Sequence, residues 1–229
     1  MGGLGQNLHI AQINEAMSIH NFRYITKKEW KPVKEELLKL IKLVQDEVRE
    51  YFTFQFEFIG SASRNTITID EGSNKGYDFD VNLRVNDPND NYSPQEIKQI
   101  LITAFNKYGY LFEYDYAEDS KRVITIKVKD RKNSRILHSC DFAVVFDCDD
   151  GRQQYIHFNK KQGTYSWEYQ PKGFYHLKER IDSIKKYGLW EELKGLYLDK
   201  KNMNTNQNKK SRSIWAEAVN EIYNQNFED

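Results

Sequence analysis

The chain has 229 residues, of which 39% are hydrophobic and 14% aromatic, so it can build one sizeable core or one domain with a smaller appendage and is not disordered. Lys and Arg balance Asp and Glu at 34 each, which excludes a strong overall field for nucleic acid and confines any charge-based function to a local site. No run approaches the roughly 18 apolar residues of a membrane span, and the N-terminus lacks a signal-peptide pattern, so we expect a cytoplasmic globular protein with no membrane partner.

Cysteine and histidine usage argues against a zinc site. The five His residues are scattered singly, and the two cysteines are Cys140 and Cys148. Eight extended residues span roughly 26 Å, so a disulfide between them would require the chain to turn back. The sequence therefore predicts neither a zinc centre nor a disulfide.

The first part of the chain predicts two helices and then a strand. Residues 7–21 and 28–52 have helical spacing, because apolar positions recur every three to four residues. Four aromatic residues then alternate with polar ones: Phe52, Phe54, Phe56 and Phe58. This period of two predicts a strand that ends at Gly60. A long helix therefore leads into a strand.

A second half-buried strand follows a polar segment that contains Gly and Asn. Apolar and polar residues alternate from Asp78 to Val85, which predicts that strand. A turn over residues 86–92 leads to a helix that begins at Ser93-Pro94, a capping residue followed by a favoured first residue, and runs to about Tyr108. Three further strands are predicted at about 110–117, 121–129 and 136–147.

The last part of the chain returns to helical spacing. Helices are predicted over residues 174–187, 189–198 and 213–225. The polar stretch over residues 199–211 is predicted to be a mobile loop. The elements together predict an α+β fold, in which a mixed or antiparallel β-sheet is flanked by helices and followed by a small C-terminal helical region. We place the division between residues 1–165 and residues 166–229.

Two carboxylates on the second strand are the first candidates for chemistry. Side chains two apart on a strand share a face, so Asp78 and Asp80 point one way while Phe79 and Val81 enter the core. Hard divalent cations such as Mg²⁺ prefer oxygen ligands, and a carboxylate pair can bridge two ions that orient a nucleotide's phosphates. A solvated strand face is the alternative, because an isolated Asp-x-Asp is common.

The turn after the first strand offers a phosphate site. Gly60 lets the backbone approach a phosphate closely, and the Ser61 hydroxyl and nearby N–H groups can donate to its oxygens. Arg64 can neutralise phosphate charge or lie in solvent. Taken alone, Gly60-Ser61 is also compatible with an ordinary turn.

A third carboxylate interrupts the apolar run over residues 136–146. Asp141 needs a partner or a cation there, and it can complete a three-carboxylate site or take the proton of an acceptor hydroxyl. Three rivals stand at the end of the strand: Asp147, Asp149 and Asp150. They precede Gly151 and are typical of a turn, although Asp147 shares the face of Asp141 by parity. We therefore prefer Asp141.

Three segments in this order resemble the polymerase-β-type nucleotidyltransferase superfamily: Phe58-Ile59-Gly60-Ser61, Tyr77-Asp78-Phe79-Asp80-Val81 and Cys140-Asp141-Phe142-Ala143-Val144. They carry its ordered pattern of Gly-Ser, Asp-x-Asp and a later strand Asp, over about residues 52–147. The Arg64 that follows Gly60-Ser61, and the Gly76-Tyr77 approach to the carboxylates, are most similar to the branch of oligoadenylate synthases and bacterial cyclic-dinucleotide synthases. The resemblance implies a nucleotidyltransferase-type sheet.

The resemblance also implies a reaction and a set of roles. Asp78, Asp80 and Asp141 would hold two Mg²⁺ or Mn²⁺ ions, Gly60-Ser61 would hold the triphosphate of an NTP, and Arg64 would bind beside it. An acceptor hydroxyl would attack the α-phosphate in line and release pyrophosphate. The acceptor stays open among a second nucleotide, RNA, a protein side chain and a small molecule. Two alternatives remain: a synthase of linear or cyclic oligonucleotides, and a non-catalytic module of the same fold, such as one half of a toxin–antitoxin pair.

The sequence departs from the family pattern at two places. Asn65 stands where many members carry Gly after the Arg, and Asp78 follows Ser61 by 17 positions, which fits the synthase-like branch better than the minimal members. Residues 166–229 are also fewer than the helical lobe that those synthases usually carry, so base recognition is not assigned. The candidates for base stacking are Trp167, Tyr169, Phe174 and Tyr175, and those for phosphate contact are Lys172 and Lys178, although core packing is favoured for most of them.

Overall fold

The computed structural model describes residues 19–171 and 176–227. The described chain divides into two compact units, one formed by residues 24–68 and 73–171 and the other by residues 19–23, 69–72 and 176–227. The boundary predicted between residues 165 and 166 stays a prediction. Within the described ranges, no helix is long and apolar enough to cross a membrane.

The elements are as follows in chain order. The strands are β1 (Phe22–Tyr24), β2 (Thr53–Ile59), β3 (Thr68–Asp70), β4 (Tyr77–Asn86), β5 (Glu118–Asp119), β6 (Ile124–Asp130), β7 (Arg135–Asp147), β8 (Gln153–Asn159) and β9 (Thr164–Tyr169). The helices are α1 (Lys27–Val48), α2 (Gly60–Arg64), α3 (Pro94–Gly109), α4 (Leu177–Lys186), α5 (Trp190–Asn202) and α6 (Ser211–Phe227).

A mixed sheet forms the centre of the larger unit. Five of its strands lie side by side in the order β2-β4-β7-β6-β5, while β8 pairs with the end of β7 and with β9. β4 and β7 run parallel, and the other pairs in this sheet are antiparallel. β1 and β3 form a separate two-stranded ribbon. The sheet therefore has one parallel step at its centre, between the two strands that carry the predicted carboxylates.

Two long helices cover one face of this sheet. α3 begins at Ser93, whose hydroxyl accepts from the Glu96 N–H while the Glu96 carboxylate accepts from the Ser93 N–H, as the sequence predicts. The Phe105 ring of α3 stacks on Phe142 of β7 with 4.3 Å between ring centroids. α1 packs beside α3 and buries five of its apolar side chains completely: Leu37, Leu40, Ile41, Val44 and Val48. The opposite face of the sheet carries the polar side chains of β4 and β7.

The helices of the smaller unit pack around one tryptophan. Trp215 of α6 is buried, with edge-on contacts to Tyr197 at 5.1 Å and Trp190 at 5.8 Å between ring centroids. Aromatic rings in this edge-to-face arrangement add to the burial of apolar area. The C-terminal helical region is therefore organised around its own core.

The predicted fold class is confirmed, and several element boundaries are corrected. The strand predicted at 110–117 is wrong, because residues 110–112 form a 3₁₀-helix and the next strand begins at Glu118. α5 continues to Asn202, so residues 199–202 are helical and the predicted loop begins at Met203. Of the helix predicted over 7–21, residues 7–18 lie outside the described ranges, and residues 19–21 are not helical.

The β8–β9 hairpin was missed because its turn was not recognised. The strands are joined through Gly163, which has φ +68° and donates its N–H to the Asn159 carbonyl, while the Asn159 side chain accepts from the Lys161 N–H. Asn and Gly at these places are typical hairpin-turn residues. Strands therefore continue to Tyr169, further than the sequence interpretation placed them.

Candidate active site

β4 places the first two carboxylates on one face of the sheet. Phe79, Val81 and Leu83 are fully buried, whereas Asp78 is exposed and Asp80 is half-buried. This alternation arises because successive side chains of a strand point to opposite faces. Asp78 and Asp80 therefore share the face opposite to the one that α1 and α3 cover.

β7 places Asp141 beside Asp80. The two parallel strands are in a register that sets Asp80 opposite Asp141 and Asp78 opposite Ser139. Neighbouring strands lie roughly 4.8 Å apart, so two carboxylates in register meet on the same face. The structure thus brings Asp80 and Asp141 together across adjacent strands, with Asp78 two residues away along β4.

Burial and like charge make both carboxyl groups harder to ionise. Burial and then the negative charge of Asp141 raise the pKa of Asp80 to about 6, while the Arg64 guanidinium acts in the opposite direction. Burial also raises the pKa of Asp141, against the Thr125 hydrogen bond and the Lys127 charge, which lower it. Each group therefore holds a proton more readily than an exposed aspartate does, and a bound cation would relieve that cost.

Gly60 packs directly against Asp80. β2 and β4 are antiparallel with Ile59 opposite Asp80, so the turn after Ile59 begins next to this carboxylate. Gly60 has φ +63°, and a Cβ atom added to it would lie 2.7 Å from Asp80 Oδ2. Both the left-handed backbone and the close approach favour glycine. The Gly-Ser turn and the second aspartate are therefore parts of one packed arrangement.

α2 carries Ser61 and Arg64 next to this pair. The helix ends at Asn65, which is left-handed with φ +56°, and the N–H groups of Asn65 and Thr66 both donate to the Ser61 carbonyl. Asn tolerates this conformation better than most residues other than Gly. The departure from the family pattern at Asn65 therefore preserves the backbone, and the Arg64 charge acts on Asp80.

A second glycine before β4 brings that strand close to β7. A Cβ atom added to Gly76 would clash with the backbone carbonyl of Leu137 and would lie 2.8 Å from that of Ile136. Only a residue without a side chain lets the chain enter β4 at this separation. The Gly76-Tyr77 approach that carried part of the resemblance is thus a condition for the parallel pairing.

Polar side chains of β6 and β5 continue the carboxylate row across the sheet. Thr125 lies opposite Asp141, and Glu118 lies opposite Thr125. The Thr125 hydroxyl donates to Asp141 Oδ1 at 2.5 Å, and Lys127 Nζ pairs with Glu118 Oε2 at 2.6 Å. Sequence reasoning missed all three residues, because cross-strand register decides which side chains neighbour Asp141 and a single sequence does not give it.

Ser139 is the corresponding neighbour of Asp78. It lies opposite Asp78 on one side and Lys127 on the other, and its hydroxyl hydrogen-bonds Asp78 Oδ1. Ser139 precedes Asp141 by two positions on the same strand, so parity alone places both on one face. The sequence therefore contained a signal for Ser139, unlike Thr125.

Two of the three rival aspartates near the end of β7 have basic partners of their own. Asp147 pairs with Arg84 Nε at 2.6 Å, and Asp150 pairs with Arg152 at 2.6 Å. Asp147 lies six residues along β7 from Asp141, roughly 20 Å on an extended strand. The turn interpretation is confirmed for Asp149 and Asp150 and wrong for Asp147, which is the last residue of β7 and pairs with Gln153 of β8, while the catalytic preference for Asp141 stays a prediction.

The two aromatic candidates for base recognition that the structure describes both belong to β9. Trp167 is on β9, with 6.0 Å between its ring centroid and that of Phe146, and the ring of Tyr169 lies against the Arg152 guanidinium at 3.8 Å. Lys172, Phe174 and Tyr175 lie outside the described residues. Lys178 belongs to α4 of the smaller unit. Their roles stay predictions.

The donor chemistry fits a hard divalent cation. Within the described ranges, no three His, Cys, Asp or Glu side chains converge closely enough to form a ready-made metal site. Without a cation, like-charged carboxylates repel each other and need not converge. The fit of a cation to this site is therefore judged from the type of donor atom and from the strand register. These are carboxylate oxygens, with Asp80 and Asp141 in register, Asp78 on the same face, and Gly60 packed against Asp80.

Solved structures of a bacterial enzyme share this fold. Vibrio cholerae DncV in its apo form has a TM-score of 0.54 and 18% identity, and its GTP-bound form has 0.53 and 18%; both comparisons cover 90% of this chain and 54% of DncV. A structure of the same protein described as a cyclic AMP-GMP synthase with nonhydrolyzable GTP has 0.53 and 17%, over 90% and 55%. No family model and no curated protein sequence matches the chain.

These similarities confirm the predicted fold. The chain has the nucleotidyltransferase fold of DncV, with a mixed sheet flanked by helices. It spans about half the length of DncV. At this level of identity the comparison shows the fold alone, so the roles of individual residues rest on the geometry described above.

Proposed function

We propose that this protein is a metal-dependent nucleotidyltransferase that transfers a nucleoside monophosphate from an NTP to an acceptor hydroxyl and releases pyrophosphate. The observation that carries the proposal is the pairing of Asp80 with Asp141 on the two central parallel strands, beside the glycine that opens α2. Titratable groups with raised pKa and a specific charged neighbour are typical of functional sites. The shared fold of DncV, a cyclic AMP-GMP synthase solved with nonhydrolyzable GTP, supports the same activity class.

The proposed roles follow from position and charge. Asp78, Asp80 and Asp141 would hold Mg²⁺ or Mn²⁺, which would neutralise charge on the phosphates and favour attack at the α-phosphorus. The Gly60-Ser61 turn would bind the triphosphate with its N–H groups and hydroxyl, and Arg64 would add positive charge there. The acceptor oxygen would bond to the α-phosphorus as the bond to pyrophosphate breaks. Asp141, whose pKa is raised by burial, would take the hydroxyl proton.

The activity is tested by incubating the full chain with each of the four labelled NTPs, under Mg²⁺ and under Mn²⁺. We expect pyrophosphate release and a labelled product. Asp80→Asn and Asp141→Asn should each lose at least about 100-fold in rate, because each removes a charge that the proposed site needs. Asp149→Asn is the matched control, since it makes the same change on an exposed residue beyond the end of β7.

Two results would count against the proposal. Absence of pyrophosphate release with all four NTPs, both with and without cell extract, in a chain whose circular dichroism shows an intact fold, would favour the non-catalytic binding module. Metal-dependent NTP binding that survives in the Asp78→Ala/Asp80→Ala double variant would contradict the metal assignment. Calorimetric titration with Mg²⁺ and NTP separates these cases, because an inert module binds neither through this face.

The acceptor is identified by mass spectrometry of products from mixed NTPs, with and without cell extract. A linear or cyclic oligonucleotide formed without extract would identify a second nucleotide as the acceptor, which is the outcome that the DncV comparison favours. A product that requires extract would identify RNA, a protein side chain or a small molecule instead. Either result leaves the transfer chemistry proposed here unchanged.

A further inference from the structure

Two buried hydroxyl groups contact two of the three proposed metal ligands. The Thr125 hydroxyl donates to Asp141 Oδ1 at 2.5 Å, and the Ser139 hydroxyl donates to Asp78 Oδ1. Thr125 is 8% exposed and Ser139 is 7% exposed, so both hydroxyls belong to the interior of the sheet rather than to its solvated edge. Each therefore contacts a carboxylate from a side that solvent hardly reaches.

The register of the sheet fixes both contacts. One row across the strands runs Asp80, Asp141, Thr125, and the next runs Asp78, Ser139, Lys127. In the first row the hydroxyl lies beyond the carboxylate pair, and in the second it lies directly beside Asp78. Because backbone pairing sets these positions, Thr125 and Ser139 stay next to their carboxylates on the same face of the sheet.

A hydroxyl on one oxygen of a carboxylate restricts how that carboxylate can turn. Donation to Oδ1 fixes the rotation about the side-chain bonds and leaves Oδ2 as the oxygen that a cation can approach. Hydrogen bonds of this kind to ligating residues typically account for about 10- to 100-fold in metal affinity. A hydroxyl that is merely buried needs a hydrogen-bond partner, but that partner need not be a metal ligand. Its removal would therefore not be expected to change metal affinity.

We infer that Thr125 and Ser139 are positioning residues, which orient Asp141 and Asp78 for the divalent cation without touching the cation themselves. The inference rests on the proposed function, because it presupposes that these carboxylates bind metal. Thr125 acts on the carboxylate proposed to take the acceptor proton, and Ser139 acts on the first aspartate of the Asp-x-Asp pair. Neither residue belongs to the motifs that carried the resemblance.

Thr125→Val tests the inference, since valine keeps the shape of threonine and removes the hydroxyl. The dissociation constant for Mn²⁺ is measured on the full chain by electron paramagnetic resonance, without nucleotide. We expect it to rise about 10- to 100-fold in Thr125→Val and to stay within about threefold of wild type in Thr125→Ser. Thr103→Val is the matched control, because its hydroxyl donates to the Gln99 carbonyl on the exposed side of α3 and should not affect Mn²⁺ binding.

Ser139→Ala provides an independent measurement from the other strand. It should weaken Mn²⁺ binding to a similar extent, and it keeps the inference testable if Thr125→Val does not fold. Mn²⁺ affinity that is unchanged or tighter in the folded hydroxyl-free variants would overturn the inference and leave the proposed function standing. Failure of the wild-type chain to bind Mn²⁺ with an intact fold would instead remove the metal site itself, and the inference with it.

Discussion

Two groups of charged residues lie on opposite faces of the same sheet and are stabilised in opposite ways. On the face covered by α3, Lys98 is only 1% exposed and lies 2.6 Å from Asp119 Oδ1. It also donates to the Ser120 carbonyl at 2.7 Å, and the Tyr165 hydroxyl donates to the second oxygen of Asp119 at 2.6 Å. The charge buried there is therefore met by an opposite charge from the chain itself, although burial still lowers the pKa of Lys98.

The pair on the other face has the opposite character. Asp80 and Asp141 carry like charges, and burial and their mutual repulsion raise the pKa of Asp80 to about 6. Arg64 and Lys127 offset this only in part, since the pKa of both carboxyls stays raised. A buried charge that is balanced internally serves the structure, whereas a like-charge pair needs a cation from outside, and this difference directs attention to the second pair as the functional one.

Removing the positive charge of the Lys98–Asp119 pair should produce the largest loss of stability. Lys98→Met leaves the Asp119 carboxylate without its buried partner, and breaking such a pair typically costs about 3 to 5 kcal/mol. Urea unfolding in EDTA measures the change. Lys107→Met is the control, because Lys107 forms an exposed ion pair with Glu47 and its loss should move the unfolding midpoint far less. Equal shifts in the two variants would contradict the view that Lys98 is structurally special.

Removing a charge from the Asp80–Asp141 pair should increase the stability of the protein instead of lowering it. The folded pKa of Asp80, about 6, lies above its ordinary value of 3.8, so the unfolded chain releases this proton first as the pH rises. The associated stability is present below pH 3.8 and lost as the pH rises through 6. A gap of about two pH units is worth about 2 to 3 kcal/mol. Asp80→Asn should therefore stabilise the cation-free protein by about that amount at pH 8.

The stability gain of Asp80→Asn over the wild-type protein should disappear under two conditions. Below pH 4 the wild-type carboxyl is protonated, so the two proteins should converge in urea unfolding. Mg²⁺ should stabilise the wild-type protein at pH 8 and have little effect on Asp80→Asn, since the ligand charge is gone. An Asp80→Asn chain that is less stable than wild type in EDTA at pH 8 would show that the Asp80 charge does not destabilise the cation-free fold.

His138 shows what happens to a buried titratable group that stays neutral. It stacks on Tyr77 and meets Tyr114 edge-on, and burial lowers its pKa to about 4. The unfolded chain therefore binds this proton first as the pH falls from 6.5, so stability is lost between pH 6.5 and 4. His138→Phe should lessen the loss between pH 7.5 and 5 by about 2 kcal/mol. Parallel pH profiles for variant and wild type in urea unfolding would argue that His138 is hydrated in the folded state.

The sequence predicted most of the site and less of its surroundings, for a physical reason. The period of two sets Asp78 and Asp80 on the face opposite Phe79, and the Gly-Ser turn precedes them, because both features are local. The pairing of Asp80 with Asp141 and the contact between Asp141 and Thr125 depend on strand register, which is set by packing between segments distant in the chain. The resemblance to the superfamily supplied the grouping of Asp80 with Asp141, but it could not supply the contact between Asp141 and Thr125.

The smallest expected effect on stability concerns the backbone turn that carries Gly60 and Arg64 next to Asp80. Asn65 ends α2 with φ +56°, where a Cβ without a polar side chain costs roughly 1 kcal/mol. Asn65→Ala should destabilise the chain by about that amount in urea unfolding, and Asn65→Gly should be nearly neutral. If the left-handed turn also positions Arg64, Asn65→Ala should raise the KM for NTP while Asn65→Gly leaves it unchanged. Equal stability of the alanine and glycine variants would mean that the turn is not held in this conformation, and the packing of Gly60 against Asp80 would then have to be maintained by β2 and β4 alone.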